Sequence, residues 1–222
     1  MEKHIVKVLK TEMVTHNVKR FTLEKPQGYS FVSGQATDVS INKPGLENDL
    51  RPFTFTCLNT DPYLEFTIKI YKGHNGVTEK LMDVNIGDEL ILHDVFGAIN
   101  YKGPGLFIAG GAGVTPFISI LRQLKQDSKL AHNILLFANR TEEDIIIKNE
   151  LDDMLGENHI DIISNPKLPG KQSKRINKQL LKQFIKSPNQ YYYICGPDEF
   201  VAELKNALID LGVANEKIVI EE

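Results

Sequence analysis

The sequence predicts two domains in tandem: an antiparallel Greek-key β-barrel over residues 1–102 and an α/β doubly wound parallel sheet over residues 103–222. Three observations lead there. Short alternating runs separated by turn residues fill the first hundred positions. Apolar strands alternating with helical patterns of about ten residues fill the remainder, as parallel βαβ units do. Between them Tyr101-Lys102-Gly103-Pro104-Gly105 breaks both patterns.

The first six runs are Ile5–Leu9, Val18–Glu24, Gln35–Ile41, Phe53–Leu58, Leu64–Tyr71 and Glu89–Leu92. Turn signals at Pro26-Gln27-Gly28, Lys43-Pro44-Gly45 and Ile86-Gly87-Asp88 separate them, and one helix-like piece spans Val77–Val84. Alternation alone fits a barrel or a sandwich. After the break the expected strands are Leu106–Ala109, Asn133–Ala138, Ile160–Ser164, Tyr191–Ile194 and Lys217–Ile220. The helices between them are Pro116–Gln126, Ile145–Leu155, Ile176–Ile185 and Phe200–Leu211.

Composition narrows the function classes. The 222 residues are 41% hydrophobic and 25% charged, ordinary globular values. No apolar run approaches the 18 or so residues of a membrane span. The N-terminus runs straight into an alternating strand pattern without a signal-peptide core, so a cytoplasmic location is expected. Two cysteines, Cys57 and Cys195, cannot build a four-cysteine metal or iron–sulfur site, and no histidines pair at ligand spacing. No protein-held metal is expected. Net charge is -3, spread evenly along the chain, which argues against nucleic-acid binding.

Four motifs carry chemistry. Gly111-Ala112-Gly113-Val114-Thr115-Pro116 lies where the first α/β strand hands over to its helix, and glycines there allow close approach of a pyrophosphate. Position 116 is proline where the ordinary dinucleotide fingerprint has its third glycine, and the second strand runs into Asn139-Arg140 in place of an acidic residue. Cys195-Gly196-Pro197 follows an apolar strand and so lies at the carboxyl edge of the sheet. Arg51-Pro52-Phe53-Thr54 and Gly76-Val77-Thr78 belong to the first domain.

In this order, the four motifs resemble the ferredoxin-NADP reductase (flavodoxin reductase-like) family of flavoproteins, over essentially the whole chain. The resemblance implies a flavin-binding barrel at 1–102, an NAD(P)-binding domain at 103–222, and hydride transfer from nicotinamide to flavin with single electrons released to a carrier protein. It gives Arg51 a flavin phosphate, Phe53 the isoalloxazine face and Thr54 a hydrogen bond near N5, with Pro52 between them. Phe53 replaces the family's usual tyrosine, so a phenol bond to the cofactor is lost. Gly76, Val77 and Thr78 take a second phosphate, which points to FAD over FMN. Lys69, Ile70 and Tyr71 are expected to offer main-chain contacts. In the nucleotide domain the expected contacts are Gly111, Gly113, Thr115, Pro116, Cys195, Gly196 and Pro197, with Thr54 and Cys195 nearest the reacting atoms.

No acidic residue occurs between Ile163 and Pro197, whereas Lys167, Lys171, Lys174, Arg175, Lys178, Lys182 and Lys186 are basic. Ser164 and Arg175 resemble the family's 2′-phosphate contacts, although Asn165 stands where some members carry another arginine. NADPH is therefore expected ahead of NADH. The chain stops at Ile220-Glu221-Glu222, without the terminal aromatic lid of many members. The expected partner is a flavodoxin or ferredoxin, steered by Lys72, Lys80 and the basic stretch. The alternatives are a non-catalytic module of the same fold and an electron-transfer subunit of a larger oxidoreductase. For individual residues the simpler roles are core packing for Phe53 and Phe55, helix capping for Thr78 and structural burial for Cys195.

Overall fold

The computed structural model describes residues 3–73, 76–97, 99–166, 174–187 and 189–221. Contacts cluster it into two units, Met1–Ala98 and Ile99–Glu222.

The first unit contains β1 (His4–Thr15), β2 (Val18–Glu24), β3 (Ala36–Ile41), β4 (Arg51–Thr54), β5 (Tyr63–Lys69), a one-turn helix α1 (Val77–Lys80) and β6 (Glu89–Phe96). Its antiparallel sheet has the order β4-β3-β6-β1-β2-β5. A bridge between Phe55 and Phe66, with the Thr56 amide donating to the Glu65 carbonyl at 2.9 Å, joins the two ends and closes a barrel. Closure removes the exposed edges that would otherwise invite pairing with another chain. Inside, the fully buried Phe55 ring stacks on Phe31 at 4.1 Å and lies 5.0 Å from Phe66.

Three local differences from the sequence expectation have physical causes. Strand β1 runs well past Leu9, because irregularities between Val8 and Lys10 and between Met13 and Thr15 disturb the alternation while pairing continues. Strand β4 starts at Arg51 in spite of Pro52, since it ends the strand order and a missing N–H there costs no ladder bond. The expected helix Val77–Val84 is only α1 followed by a 3₁₀ turn, Leu81–Asp83.

The second unit contains β7 (Gly105–Gly110), α2 (Thr115–Gln126), β8 (Ile134–Asn139), α3 (Lys148–Leu155), β9 (His159–Ile163), α4 (Lys178–Lys182), β10 (Tyr191–Cys195), α5 (Asp198–Asp210) and β11 (Ile218–Ile220). Its five strands are parallel in the order β11-β10-β7-β8-β9. Phe107 meets Phe117 of α2 at 5.1 Å on one face, and Leu181, Leu204 and Leu208 of α4 and α5 pack with Leu106, Ile108 and Ile194 on the other. The chain winds outward from β7 to β9 and then returns to β10, so the winding reverses between β7 and β10. Ligands of open α/β sheets gather at that reversal, outside the carboxyl ends of the strands.

Residues 99–102, grouped with the barrel by sequence, fold with the second unit. Tyr193 explains it: its hydroxyl accepts from the Lys102 and Gly103 amides at 2.9 and 3.1 Å and donates to the Gly103 carbonyl at 2.8 Å. Helix α3 begins at Lys148, not at Ile145, because a Thr141–Asp144 capping box starts a separate 3₁₀ turn first. Among the described residues no helix is long and apolar enough to cross a membrane.

The edge strand β9 is pinned to α3 by a charged cluster. The buried His159 ring places Nδ1 2.6 Å from Asp152 and Nε2 3.2 Å from Asp161, and Lys148 reaches the same two carboxylates at 3.0 and 2.8 Å. Nδ1 is within hydrogen-bond distance of Asp152, and the Asp161 carboxylate beside Nε2 adds a second negative charge that favours the imidazolium. Burial opposes that charge, but the flanking Asp161 and Asp152 carboxylates outweigh it and hold the His159 pKa above the ordinary histidine range. A raised folded-state pKa stabilises fully below the unfolded value of about 6.5, and that contribution disappears as pH rises through the folded value. The stability gap between wild type and His159→Gln, measured by urea unfolding, is therefore expected to narrow from pH 6 to pH 9. A gap independent of pH in that window would contradict the clamp.

Candidate functional site

In the barrel unit the motif residues lie on β4 and around α1. Strand β4 pairs with β3 so that Arg51 faces Val39, Phe53 faces Thr37 and Thr54 faces Ala36. Arg51 is exposed, and its guanidinium donates only to the Leu50 carbonyl, at 2.7 Å; it has no carboxylate partner among the described residues. A guanidinium held at a strand edge without a counter-ion matches a phosphate well. Phe53 is half-buried against the rim of the core, whereas Phe55 occupies the fully buried position. The core-strand role thus falls to Phe55. Thr54 is half-buried.

The segment after β5 divides by role. Ile70 is buried and donates its amide to the Asn17 carbonyl at 2.8 Å, which removes that amide from cofactor contact. Tyr71 is half exposed, with the Lys69 ammonium 5.8 Å from its ring centroid. Gly76, which has no side chain to cap with, is the N-cap of α1, and the Thr78 hydroxyl makes no hydrogen bond among the described residues. Val77 is core, so only its main chain is available. The Val77 and Thr78 amides have no partner among the described residues, as expected for the first turn of a helix. Lys80 pairs with Asp49 at 3.6 Å, tying α1 to the loop that leads into Arg51. That contact also makes Lys80 a poorer steering charge than the exposed Lys72.

In the second unit two motifs meet at the β7/β10 reversal. A side chain at Gly113 would put its Cβ 2.3 Å from the Cys195 carbonyl oxygen and 2.5 Å from the Gly196 amide. Gly196 in turn lies 3.2 Å from the Gly110 Cα by the same measure, with Phe200 over both. The sequence argument gave Gly113 to ligand approach; the structure shows that its missing Cβ first lets the two turns pack backbone to backbone. Gly111 serves differently, adopting φ +53°. The Thr115 hydroxyl turns back to the Ala112 carbonyl at 3.0 Å, and Pro116 sits buried in the first turn of α2.

The electrostatics separate the two helix starts at this edge. Helix α5 carries Asp198 and Glu199 in its first turn, whereas α2 has no acidic residue there. An anionic pyrophosphate is therefore favoured at α2. Burial pushes the Cys195 thiol up to about 12, with the Glu221 carboxylate adding to the effect, so the thiol is neutral at physiological pH. A groove of about 400 Å³ opens beside it, lined by Cys195, Gly196, Val201, Lys205, Ile220 and Glu221. Glu221 thus stands by Cys195 at the end of β11; Glu222 is outside the described residues.

At the carboxyl ends of β8 and β9, Ser164 bonds the Asn139 carbonyl through its amide at 3.0 Å, and the Lys174 amide reaches the Ile163 carbonyl at 2.8 Å, which brings Arg175 to the same edge. Asn165 donates to the Arg140 carbonyl at 2.7 Å. Arg140 is exposed without a side-chain partner among the described residues, and the Asn139 amide group is buried with neither polar atom paired among them. Sequence reasoning missed both residues as site candidates, although Asn139-Arg140 at a strand end was the available signal. Lys178 pairs with Asp210 at 3.0 Å, a surface role. Lys167 and Lys171 lie outside the described residues.

Residues 107–206 match the family model described as Oxidoreductase NAD-binding domain. NADH-cytochrome b5 reductase 1 of Kluyveromyces lactis is 30% identical over 92% of this chain and 79% of that protein. The chain belongs to the ferredoxin-NADP reductase-like family of flavoprotein oxidoreductases. NADH-cytochrome b5 reductase 2 of Aspergillus oryzae is 31% identical over 86% of the chain, which spans 65% of that protein's length. Among solved structures, the CS-b5R domains of human Ncb5or in the NAD+ form superpose with a TM-score of 0.83 at 25% identity, over 99% of this chain and 69% of that one. A Neisseria gonorrhoeae ferredoxin NADP+ reductase with bound FAD and NADP has the same fold, with a TM-score of 0.84 at 19% identity over 99% and 98% of the two chains.

Within this family fold the Gly113 contact gives a direct test. Gly113→Ala is expected to force the β7 and β10 turns apart and to weaken NAD(P)+ binding by about tenfold or more, read by calorimetric titration. Unchanged affinity would show that the turns have room to spare.

Proposed function

We propose that this chain is a flavin-dependent NAD(P)H reductase that moves hydride from NADPH to FAD and then single electrons to a carrier protein, flavodoxin or ferredoxin. The observation that carries the reading is the backbone contact of Gly113 with Cys195 and Gly196, which builds a glycine-lined edge at the sheet reversal. A bound flavin supplies the redox chemistry, taking an electron pair and releasing it one electron at a time.

The side chains bind and orient. Arg51 offers one phosphate contact, and the first-turn Val77 and Thr78 amides offer a second, which favours the two phosphates of FAD over the one of FMN. Phe53 presents a ring face for stacking, and Thr54 a hydroxyl beside it. Cys195 contributes a neutral thiol and places no charge next to a nicotinamide that becomes cationic on oxidation. Ser164 and Arg175, joined by the exposed Arg140, form a cationic edge suited to a 2′-phosphate, and hence to NADPH.

The second reading, NADH as donor and a haem carrier of the cytochrome b5 kind as acceptor, is supported by the names of the Kluyveromyces and Aspergillus relatives. An absorbance spectrum before and after anaerobic NADPH, then NADH, separates these possibilities. Flavin bands that bleach are expected. A colourless protein that takes up neither FAD nor FMN would leave the non-catalytic module as the answer. Arg175→Ala is expected to raise KM for NADPH about tenfold and leave KM for NADH unchanged. Equal effects on both would overturn the 2′-phosphate assignment.

A further inference from the structure

Lys19 is a charged side chain inside the barrel unit, only 6% exposed. Its ammonium donates to the Met82 carbonyl at 2.8 Å and the Val84 carbonyl at 2.6 Å, and lies 5.2 Å from the centre of the Phe21 ring. Burial pushes its pKa below the usual lysine range, opposed by Asp83 and Asp88. A methionine would fill similar volume without that desolvation cost, so the amine calls for a reason beyond packing.

The carbonyls it holds supply one. They end the helical segment of α1 and its 3₁₀ turn, which at seven residues is too short to keep its position unaided. Lys19 itself sits on β2 opposite Ile68 of β5, next to the Val18–Lys69 pair. One residue therefore ties together both flanks of the connection between β5 and α1: its main chain holds the end of β5 in the ladder, and its ammonium holds the end of the helical segment.

We propose that Lys19 is a positioning residue for flavin, setting the separation between the Lys69–Tyr71 strand end and the Gly76–Thr78 turn. The proposal rests on the flavin reading above. It implies that the charge matters for cofactor affinity more than for the stability of the barrel.

The test compares Lys19→Met, Lys19→Gln and Lys19→Arg as flavin-free proteins, titrated with FAD and followed by quenching of its fluorescence. Leu23→Ala, a core change remote from the segment, serves as the stability control. Lys19→Met and Lys19→Gln are expected to weaken FAD binding about tenfold or more, and Lys19→Arg, which keeps a cationic donor, by about threefold or less. Leu23→Ala is expected to lower the unfolding midpoint at least as far while keeping wild-type FAD affinity. NADP+ affinity, a property of the other unit, is expected to stay unchanged in all four. If Lys19→Met does not fold, Lys19→Gln against Lys19→Arg decides alone. Wild-type FAD affinity in Lys19→Gln, or a loss in Leu23→Ala that matches it, overturns the positioning role and leaves the flavin reading intact. Wild-type protein that binds no FAD overturns both.

Discussion

Two main-chain turns meet at the β7/β10 reversal with no side chain between them, and the chemistry of the nucleotide unit follows from that contact. Gly113 approaches the Cys195 carbonyl to a distance that no Cβ permits. Because the turns are locked together, α2 starts at a defined place above the sheet edge, with its first-turn amides free of acidic neighbours. The thiol of Cys195 is buried there, and burial, with the Glu221 carboxylate adding to it, keeps the thiol neutral. In the barrel unit, the closing bridge between Phe55 and Phe66 plays the corresponding part, since it fixes where β4 ends and therefore where Arg51, Phe53 and Thr54 stand.

The placement of charge divides structural from functional cations. Lys19 is bonded to two carbonyls and Lys148 to two carboxylates, and Lys80 and Lys178 sit in surface pairs. Arg51 and Arg140 have no such counter-ion among the described residues. Exposed arginine forks left without carboxylates at strand ends suit phosphates brought by a ligand, because the bidentate geometry is wasted on water. Surface pairs contribute little stability, so leaving these two unpaired costs the fold almost nothing.

Much of the fold was legible because local pattern and architecture agree. The alternation of Val18–Glu24 and the apolar Tyr191–Ile194 run became β2 and β10 nearly residue for residue. The failures share a cause. Irregular pairing in β1, the edge position that excuses Pro52, and the capping box that delays α3 each depend on a neighbour that the local pattern does not name. At the site, glycine and arginine motifs stood out by residue type. Asn139 and Arg140 were visible only as a departure from the acidic residue of the ordinary dinucleotide fingerprint; burial without a partner and exposure without a counter-ion, among the described residues, appear only in three dimensions.

The sequence by itself determined the type and order of most elements through short-range periodicity and turn chemistry, and the positions of four motifs whose resemblance pointed to the family. Tertiary structure alone decided that Gly113 serves a backbone contact, that Phe53 stays at the rim while Phe55 fills the core, and that Lys19 holds carbonyls 63 and 65 residues away. Those outcomes depend on which distant groups share a volume from which water is excluded, and a linear pattern carries no record of that until the chain has closed upon itself.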